Sequence, residues 1–216
     1  VGPTRRRGGR RVTLYLVRHG ETAFNRDGQG LGRKDVPLTE RGLAQAEAVA
    51  GRFATVKVTR VLSSPLTRAL TLAGLVAARH QLQPEVMESL TELDIGETDG
   101  MSFAEMRERF PDFLKTWASD DGWQARMPGG ESIEDLGRRV EPLAQELLRG
   151  SVGDVVVVSH NFTLRVLICE MLGLSPARFR SFEMGLAAVT SLWVRDGRAG
   201  VHSVNDSCHL SNLNLA

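Results

Sequence analysis

The sequence predicts an α/β fold, a three-layer α/β/α sandwich with a mostly parallel central sheet, and three observations carry that prediction. The run Val12-Thr13-Leu14-Tyr15-Leu16-Val17 is β-branched and apolar and stops abruptly at Arg18-His19-Gly20, as a buried strand ending in a turn does. Asp154-Val155-Val156-Val157-Val158-Ser159-His160 repeats the pattern near the other end of the chain. Strands apolar on both faces belong to parallel sheets covered on each side by helices. Between them helical and strand patterns alternate, in a chain of 216 residues that suits one large domain. Both histidines would then lie at one rim of the sheet, where open α/β folds bind ligands.

Each element has its own signal. Residues 1–11 are basic and glycine-rich, with no aromatic residue among the arginines, and read as a disordered, solvated tail rather than a nucleic-acid arm. Residues 12–216 read as a single domain. The loop from Gly20 to Pro37 holds Asn25 and the spaced glycines Gly28, Gly30 and Gly32. It lacks both G-K-[ST] and G-x-G-x-x-G, so it is read as a flexible turn and not as a nucleotide cradle. Thr39 is the expected N-cap of a helix with Leu43, Ala46, Val49, Ala50 and Phe53 on its apolar face.

Val58 to Leu62 reads as a second strand. Ser64 is expected to cap, and Pro65 to start, a helix running to about His80. Arg68 then falls in the first turn, where a cation runs against the helix dipole but free N–H groups favour an anion, so it is a candidate anion ligand. Glu85 to Leu90 reads as an edge strand leading into the acidic loop Glu92 to Asp99. A carboxyl group buried beside a phosphate could serve as proton donor, and Glu92, nearest the strand end, is the best placed.

Ser102 to Trp117 reads as helical, broken at Pro111, and Ala118 to Met127 as irregular. Pro128-Gly129-Gly130-Glu131-Ser132 is a tight loop, and Ser132-x-x-Asp135 a capping box for a helix to about Arg149. After His160 a helix over Phe162 to Leu172 turns Leu164, Leu167, Ile168 and Met171 inward. Gly173 ends it and Pro176 begins a short one. Ala188 to Val194 and Gly200 to Val204 form the arms of a hairpin around Asp196-Gly197.

Composition narrows the function. Lys and Arg number 27 against 26 Asp and Glu, a net charge of +1, so no overall field favours nucleic acid or an anionic membrane. No apolar run is long enough to cross a bilayer, and the N-terminus shows no hydrophobic signal core. Cys169 and Cys208 lie far apart with no C-x-x-C spacing, which indicates neither a disulfide framework nor zinc; a reduced, cytoplasmic chain is the simplest reading. Without H-E-x-x-H or clustered acidic ligands no metal or cofactor is expected, and His80, His202 and His209 are read as structural or surface residues. Oligomeric state stays open.

Two histidines, two arginines and a carboxylic acid at one rim suit a small-molecule phosphate ester. Phosphoryl transfer needs positive donors around the equatorial oxygens, a nucleophile behind phosphorus and an acid on the leaving oxygen.

The same residues carry a family likeness. The chain resembles the histidine phosphatase superfamily, also called phosphoglycerate-mutase-like, from about Val12 to Leu210. The matching stretches are Arg18-His19-Gly20-Glu21-Thr22 with Asn25, Asp35-Val36-Pro37-Leu38-Thr39, and Ser63-Ser64-Pro65-Leu66-Thr67-Arg68-Ala69. Further on they are Glu92 with Gly96, Pro128-Gly129-Gly130-Glu131-Ser132, Ser159-His160 and Asn205-Asp206-Ser207-Cys208-His209-Leu210. The resemblance implies that His19 is the nucleophile, forming a phosphohistidine. It implies that Arg18, Arg68, Asn25 and His160 hold the phosphoryl oxygens, and that Glu92 protonates the leaving group and then activates water. A cationic pocket would keep the attacking imidazole of His19 neutral.

Two positions depart from the family pattern: Leu31 stands where many relatives carry a polar residue, and Asn161 replaces the common glycine after the second histidine. Ile95 and Phe162 stand where the mutase branch carries a tyrosine and an asparagine. A broad-specificity phosphatase is therefore expected, ahead of a cofactor-dependent phosphoglycerate mutase or a non-catalytic phospho-ligand binding protein. Substrate choice is expected to lie in a lid over about residues 98–128, and Arg126, if turned inward, would add a second anion contact.

Overall fold

The computed structural model describes residues 11–211 and Leu213. The expected basic tail lies outside the described residues except for Arg11, whose guanidinium sits 5.6 Å from the Trp193 ring centroid. In chain order the strands and helices are β1 (Val12–Arg18), α1 (Ala23–Arg26), α2 (Glu40–Phe53), β2 (Val58–Ser63), α3 (Thr67–Ala78) and β3 (Glu85–Val86). These are followed by α4 (Phe103–Arg109), α5 (Pro111–Trp117), α6 (Ile133–Leu148), β4 (Asp154–Ser159), α7 (Asn161–Met171), β5 (Val189–Arg195) and β6 (Arg198–Asp206).

The six strands form one sheet in the order β3-β2-β4-β1-β5-β6. Strands β1 to β4 run parallel, and the hairpin β5-β6 adds antiparallel to the free side of β1. Successive side chains of a strand point to opposite faces, which divides the core in two. Val155 and Val157 join Leu14 and Leu16 beneath α6 and α7. Val156 and Val158 join Val17 and Val61 beneath α2 and α3. Four consecutive valines, all fully buried, are thus what a strand between two helical layers requires.

Several expected details shift. Leu43 is 44% exposed, and the buried face of α2 instead uses Gly42 and Gln45 beside Ala46, Val49, Ala50 and Phe53. Gly42 must be small there, because a Cβ would strike the Glu21 backbone. The edge strand keeps only Glu85 and Val86 before a short 3-10 turn over Glu88–Leu90. The loop carrying Gly28, Gly30 and Gly32 is not a free turn. Gly30 N donates to Met101 O and Gly100 N to Gly30 O, both within 2.9 Å. A Cβ at Gly32 would lie 2.6 Å from Ile95 Cγ1. The start of α3 is corrected too: Ser64 does not cap it and Leu66 holds the cap position with no side-chain bond. Asp35, from the glycine loop, accepts from Thr67 N at 2.8 Å and from Thr67 Oγ1 at 2.6 Å in its stead.

Candidate active site

Strands β1 and β4 are parallel neighbours in register, Arg18 opposite Ser159, and His19 N donates to Ser159 O at 3.1 Å. The two strand ends therefore deliver His19 and His160 side by side. Both rings are buried, with centroids 5.1 Å apart. Their hydrogen bonds assign opposite tautomers. His19 Nδ1 lies 2.7 Å from Gly20 O. A carbonyl only accepts, so Nδ1 carries the hydrogen and Nε2 is left with its lone pair. His160 Nδ1 accepts from Arg68 Nε at 3.2 Å. A guanidinium only donates, so Nε2 of His160 carries the hydrogen and offers it to Ser64 Oγ at 2.7 Å.

Electrostatics keeps both rings neutral. Desolvation by burial pushes His19 well below the ordinary imidazole range, and Arg18 and Arg68 push it further, against the Gly20 carbonyl. Burial does the same to His160, followed by Arg68, His19 and Arg18.

Arg68 is fully buried. Its other nitrogens donate to Lys34 O at 2.8 Å and Gly32 O at 2.6 Å, so the glycine loop anchors the guanidinium. Arg18 Nη1 donates to Met184 O at 2.7 Å, while its Nε is buried with no hydrogen-bond partner among the described residues. An unpaired buried donor is costly unless a ligand meets it. Burial lowers Arg18 to about 10, with Arg165 and Arg68 adding to the shift and Glu92 opposing it. Asn25 spends its side-chain oxygen on capping α1, accepting from Thr22 N at 3.1 Å and Thr22 Oγ1 at 2.9 Å.

Glu92 is buried against the start of α7. Oε1 accepts from Leu93 N, Thr163 N and Thr163 Oγ1, all within 3.1 Å. Among the described residues Oε2 accepts only from Phe162 N, at 3.2 Å. Behind it Arg139 of α6 donates to the backbone oxygens of Ser89, Thr91 and Glu92 and forms a two-pronged pair with Glu131. Glu131 also accepts from Asp94 N at 3.0 Å. The Pro128-Gly129-Gly130-Glu131-Ser132 loop is thus a brace for the segment that presents Glu92. Its fit is close: Gly96 has φ +53, and a Cβ there would strike the Pro128 carbonyl.

A second clamp comes from residues 183–188, between α7 and β5. Ala188 O accepts from Arg18 N, and Ala187 N donates to His19 O at 3.0 Å. The chain end holds this clamp in turn, with Asn205 Oδ1 accepting from Gly185 N at 2.6 Å and His209 Nε2 meeting Ala187 O at 2.9 Å. His209, expected to stand apart from the rim, therefore reaches it through one carbonyl. The donor atoms of Asp206, Cys208 and His209 lie within 4.8 Å of one another, and the cation they face is the Arg52 guanidinium. Arg52 meets Asp206 Oδ2 at 2.8 Å and His209 Nδ1 at 3.2 Å.

Sequence reasoning missed Ser64 as the partner of His160, Arg139 as the brace of Glu92, and the Met184 and Ala187 backbone groups. Only the Ser-Ser-Pro and Pro-Gly-Gly-Glu-Ser motifs marked two of these places. Arg126 does not turn inward; it pairs with Asp135 Oδ2 at 2.6 Å and donates to Gly130 O. Phe162 packs edge-on to Trp117 and beside Phe179, an apolar wall next to Glu92.

Residues 14–207 match the model of the histidine phosphatase superfamily (branch 1), and the chain belongs to that family. Phosphoserine phosphatase 1 of Hydrogenobacter thermophilus is 30% identical over 203 residues, which cover 94% of this chain and 96% of that protein. The Yersinia pestis protein named "Probable phosphoglycerate mutase GpmB" is 32% identical over 206 residues, 92% of this chain and 95% of the relative. Among solved structures, mycobacterial glucosyl-3-phosphoglycerate phosphatase superposes with a TM-score of 0.81 at 27% identity, over 92% of this chain and all of the other. Among the described residues no helix is long and apolar enough to cross a membrane.

Proposed function

We propose that this chain is a phosphatase that hydrolyses small phosphate monoesters through a phosphohistidine on His19, within one domain spanning residues 12–216. The observation that carries the proposal is the opposed pair of tautomers. At the two strand ends, His19 offers a lone pair at Nε2 and His160 offers an N–H. A site that merely bound phosphate would be served by two N–H donors.

The reaction follows from these groups. His19 Nε2 attacks phosphorus, the bond from phosphorus to the ester oxygen breaks, and Glu92 passes a proton to the departing alcohol. Its Oε2, with a single long contact, is the oxygen with room to carry that proton. Water then attacks the phosphohistidine, Glu92 takes a proton from it, and phosphate leaves with His19 restored. Arg18, Arg68 and the amide of Asn25 hold the equatorial oxygens, and His160 joins them when its Nε2–H turns from Ser64 Oγ to the phosphoryl group. The unpaired Arg18 Nε is the donor with most to gain, because charge developing at the transition state meets a dry, preorganised partner. Residues 98–128 act as the lid, and Trp117 against Phe162 is its contact with the site.

Hydrolysis is favoured over the mutase reaction because the two positions flanking the acid are apolar: Ile95 is buried and Phe162 sits in an aromatic cluster. Neither can hydrogen-bond the hydroxyl groups of a phosphoglycerate. The two free cysteines, Cys169 buried and Cys208 exposed, suit a reducing compartment such as the cytoplasm.

Phosphate release from a panel of monoesters, without added metal, tests the reading. The expected result is release, with an acid-labile and alkali-stable phosphoenzyme trapped during turnover. Interconversion of phosphoglycerates on priming with a bisphosphate, without release, would establish a mutase instead. Tight phosphate binding with neither activity would leave a binding protein.

A further inference from the structure

Arg165 has no part in the chemistry above, yet it lies near the reacting groups. It is one α-helical turn beyond Asn161 on α7, so the two share a face, and its charge is felt at Arg18 and Glu92. The side chain is held in place: Nε donates to Phe179 O at 2.9 Å. The guanidinium lies 5.5 Å from the Phe179 centroid and 6.0 Å from that of Phe162. That bond from Nε is its one hydrogen bond to the described residues, and the terminal nitrogens form no ion pair among them.

Arg165 lines an open cavity of about 340 Å³ together with Asn161, Glu183, Met184, Gly185 and Asn205. The cavity abuts the phosphoryl site on two sides. Asn161 follows His160 in the chain, and Met184 is the residue whose carbonyl anchors Arg18. Glu183, which also lines the cavity, is an exposed carboxylate close enough to Arg165 to interact with it electrostatically. The two nevertheless form no ion pair within 4.0 Å, and Glu183 has no hydrogen bond among the described residues. A fixed cation and a free anion thus flank one small space.

We infer that this cavity is the leaving-group subsite and that it takes a short alcohol bearing both a carboxylate and an ammonium group, the side of an O-phospho amino acid remote from phosphorus. The inference rests on the phosphatase reading and deepens it. A planar guanidinium held through Nε presents its two terminal nitrogens as a fork, the geometry that grips a carboxylate through both oxygens. The ammonium group then meets Glu183, with the Asn161 side chain between the subsite and the phosphoryl group. Glu183 is exposed, so its contribution is screened and smaller than that of Arg165.

The test compares kcat/KM for L-phosphoserine, 3-phosphoglycerate and phosphoethanolamine in the parent, Arg165→Met, Arg165→Lys and Glu183→Gln. Phosphoserine differs from phosphoethanolamine by the carboxylate and from 3-phosphoglycerate by the ammonium group, so ratios within each protein cancel losses common to all esters. The parent should prefer phosphoserine to phosphoethanolamine. That ratio should fall about tenfold in Arg165→Met and less in Arg165→Lys, which keeps the charge but loses the fork. The ratio of phosphoserine to 3-phosphoglycerate should fall about threefold in Glu183→Gln. Glu183 is on the surface, so this arm stands even if Arg165→Met does not fold. Release from all three esters with no preference in the parent, or ratios that the substitutions leave unmoved, would overturn the subsite while sparing the phosphatase reading. No release from any ester would sink both.

Discussion

The two histidine-bearing strand ends are near copies in sequence, yet their chemistry differs. β1 and β4 each run to the rim and are followed at once by a histidine, and both rings are buried and neutral. What separates them is the identity of the atom at Nδ1. A carbonyl oxygen at His19 fixes hydrogen there and frees the Nε2 lone pair, whereas a guanidinium at His160 removes that hydrogen and sends it to Nε2. One donor exchanged for one acceptor therefore converts a nucleophile into a hydrogen-bond donor. The backbone of β1 serves this end as well, being clamped by Ala187 and Ala188, while His160 depends on a side chain, Arg68, that arrives from α3.

The comparison predicts unequal losses. His19→Ala removes the attacking atom, and turnover should fall on the order of 10⁴-fold or more, with no phosphoenzyme trapped. His160→Ala removes one transition-state donor and should cost about 10²- to 10³-fold in kcat, roughly 3 to 4 kcal/mol, with the phosphoenzyme still forming. Steady-state phosphate release and acid-labile labelling measure both. Equal losses, or a phosphoenzyme in His19→Ala, would reverse the assignment.

How far these roles could be read from the chain depends on what kind of contact made them. Arg18, His19 and His160 were legible because a strand pattern that ends in a charged or titratable residue points it at a rim. The three layers were legible because four valines in a row need helices on both sides. Ser64 misled for a local reason: a serine before proline usually caps a helix, but here the hydroxyl is drawn to His160, 96 residues away, and Asp35 supplies the cap. Met184 and Ala187 were invisible because they act through backbone atoms, which no side-chain pattern encodes. Arg165 and Glu183 carry no signal in the sequence; only their place beside a cavity distinguishes them.

The neutrality shared by the two rings can be tested through stability. Both histidines are depressed in the folded state by burial first and by nearby arginines second. The unfolded chain binds protons at these positions near pH 6.5, and the folded chain refuses them. The unfolded state therefore holds more protons below that pH, so folding stability is full above about 6.5 and declines as pH falls toward the depressed folded values. Each ring contributes a slope of about 1.4 kcal/mol per pH unit in that window. Urea unfolding at pH 7, 6 and 5 should show the decline, and His160→Gln should make it shallower by the share of one histidine. An unchanged slope in that variant would mean that His160 is charged in the fold, and the contrast of tautomers would fail.

The smallest effect concerns what holds β1 apart from β4. Among the described residues the clamp on His19 O is Ala187 N, and Ala187 O is held by His209 Nε2 at 2.9 Å. Arg52 donates to His209 Nδ1, which fixes the hydrogen on Nε2 by the same logic that operates at His160. Ala187 itself has φ +55, a conformation a non-glycine residue keeps only when its surroundings impose it. Releasing the carbonyl should let the loop relax and misalign the nucleophile by a fraction of an ångström. His209→Asn places its amide where Nδ1 was and cannot reach the carbonyl, so kcat should drop about three- to tenfold with KM little changed. His209→Gln places an amide N–H close to the position of Nε2 and should recover most of that loss. A role confined to packing would give the reverse or no order, since glutamine and asparagine both remove the ring. Recovery by glutamine alone would show that a single hydrogen bond from the chain end sets the aim of the residue at its beginning.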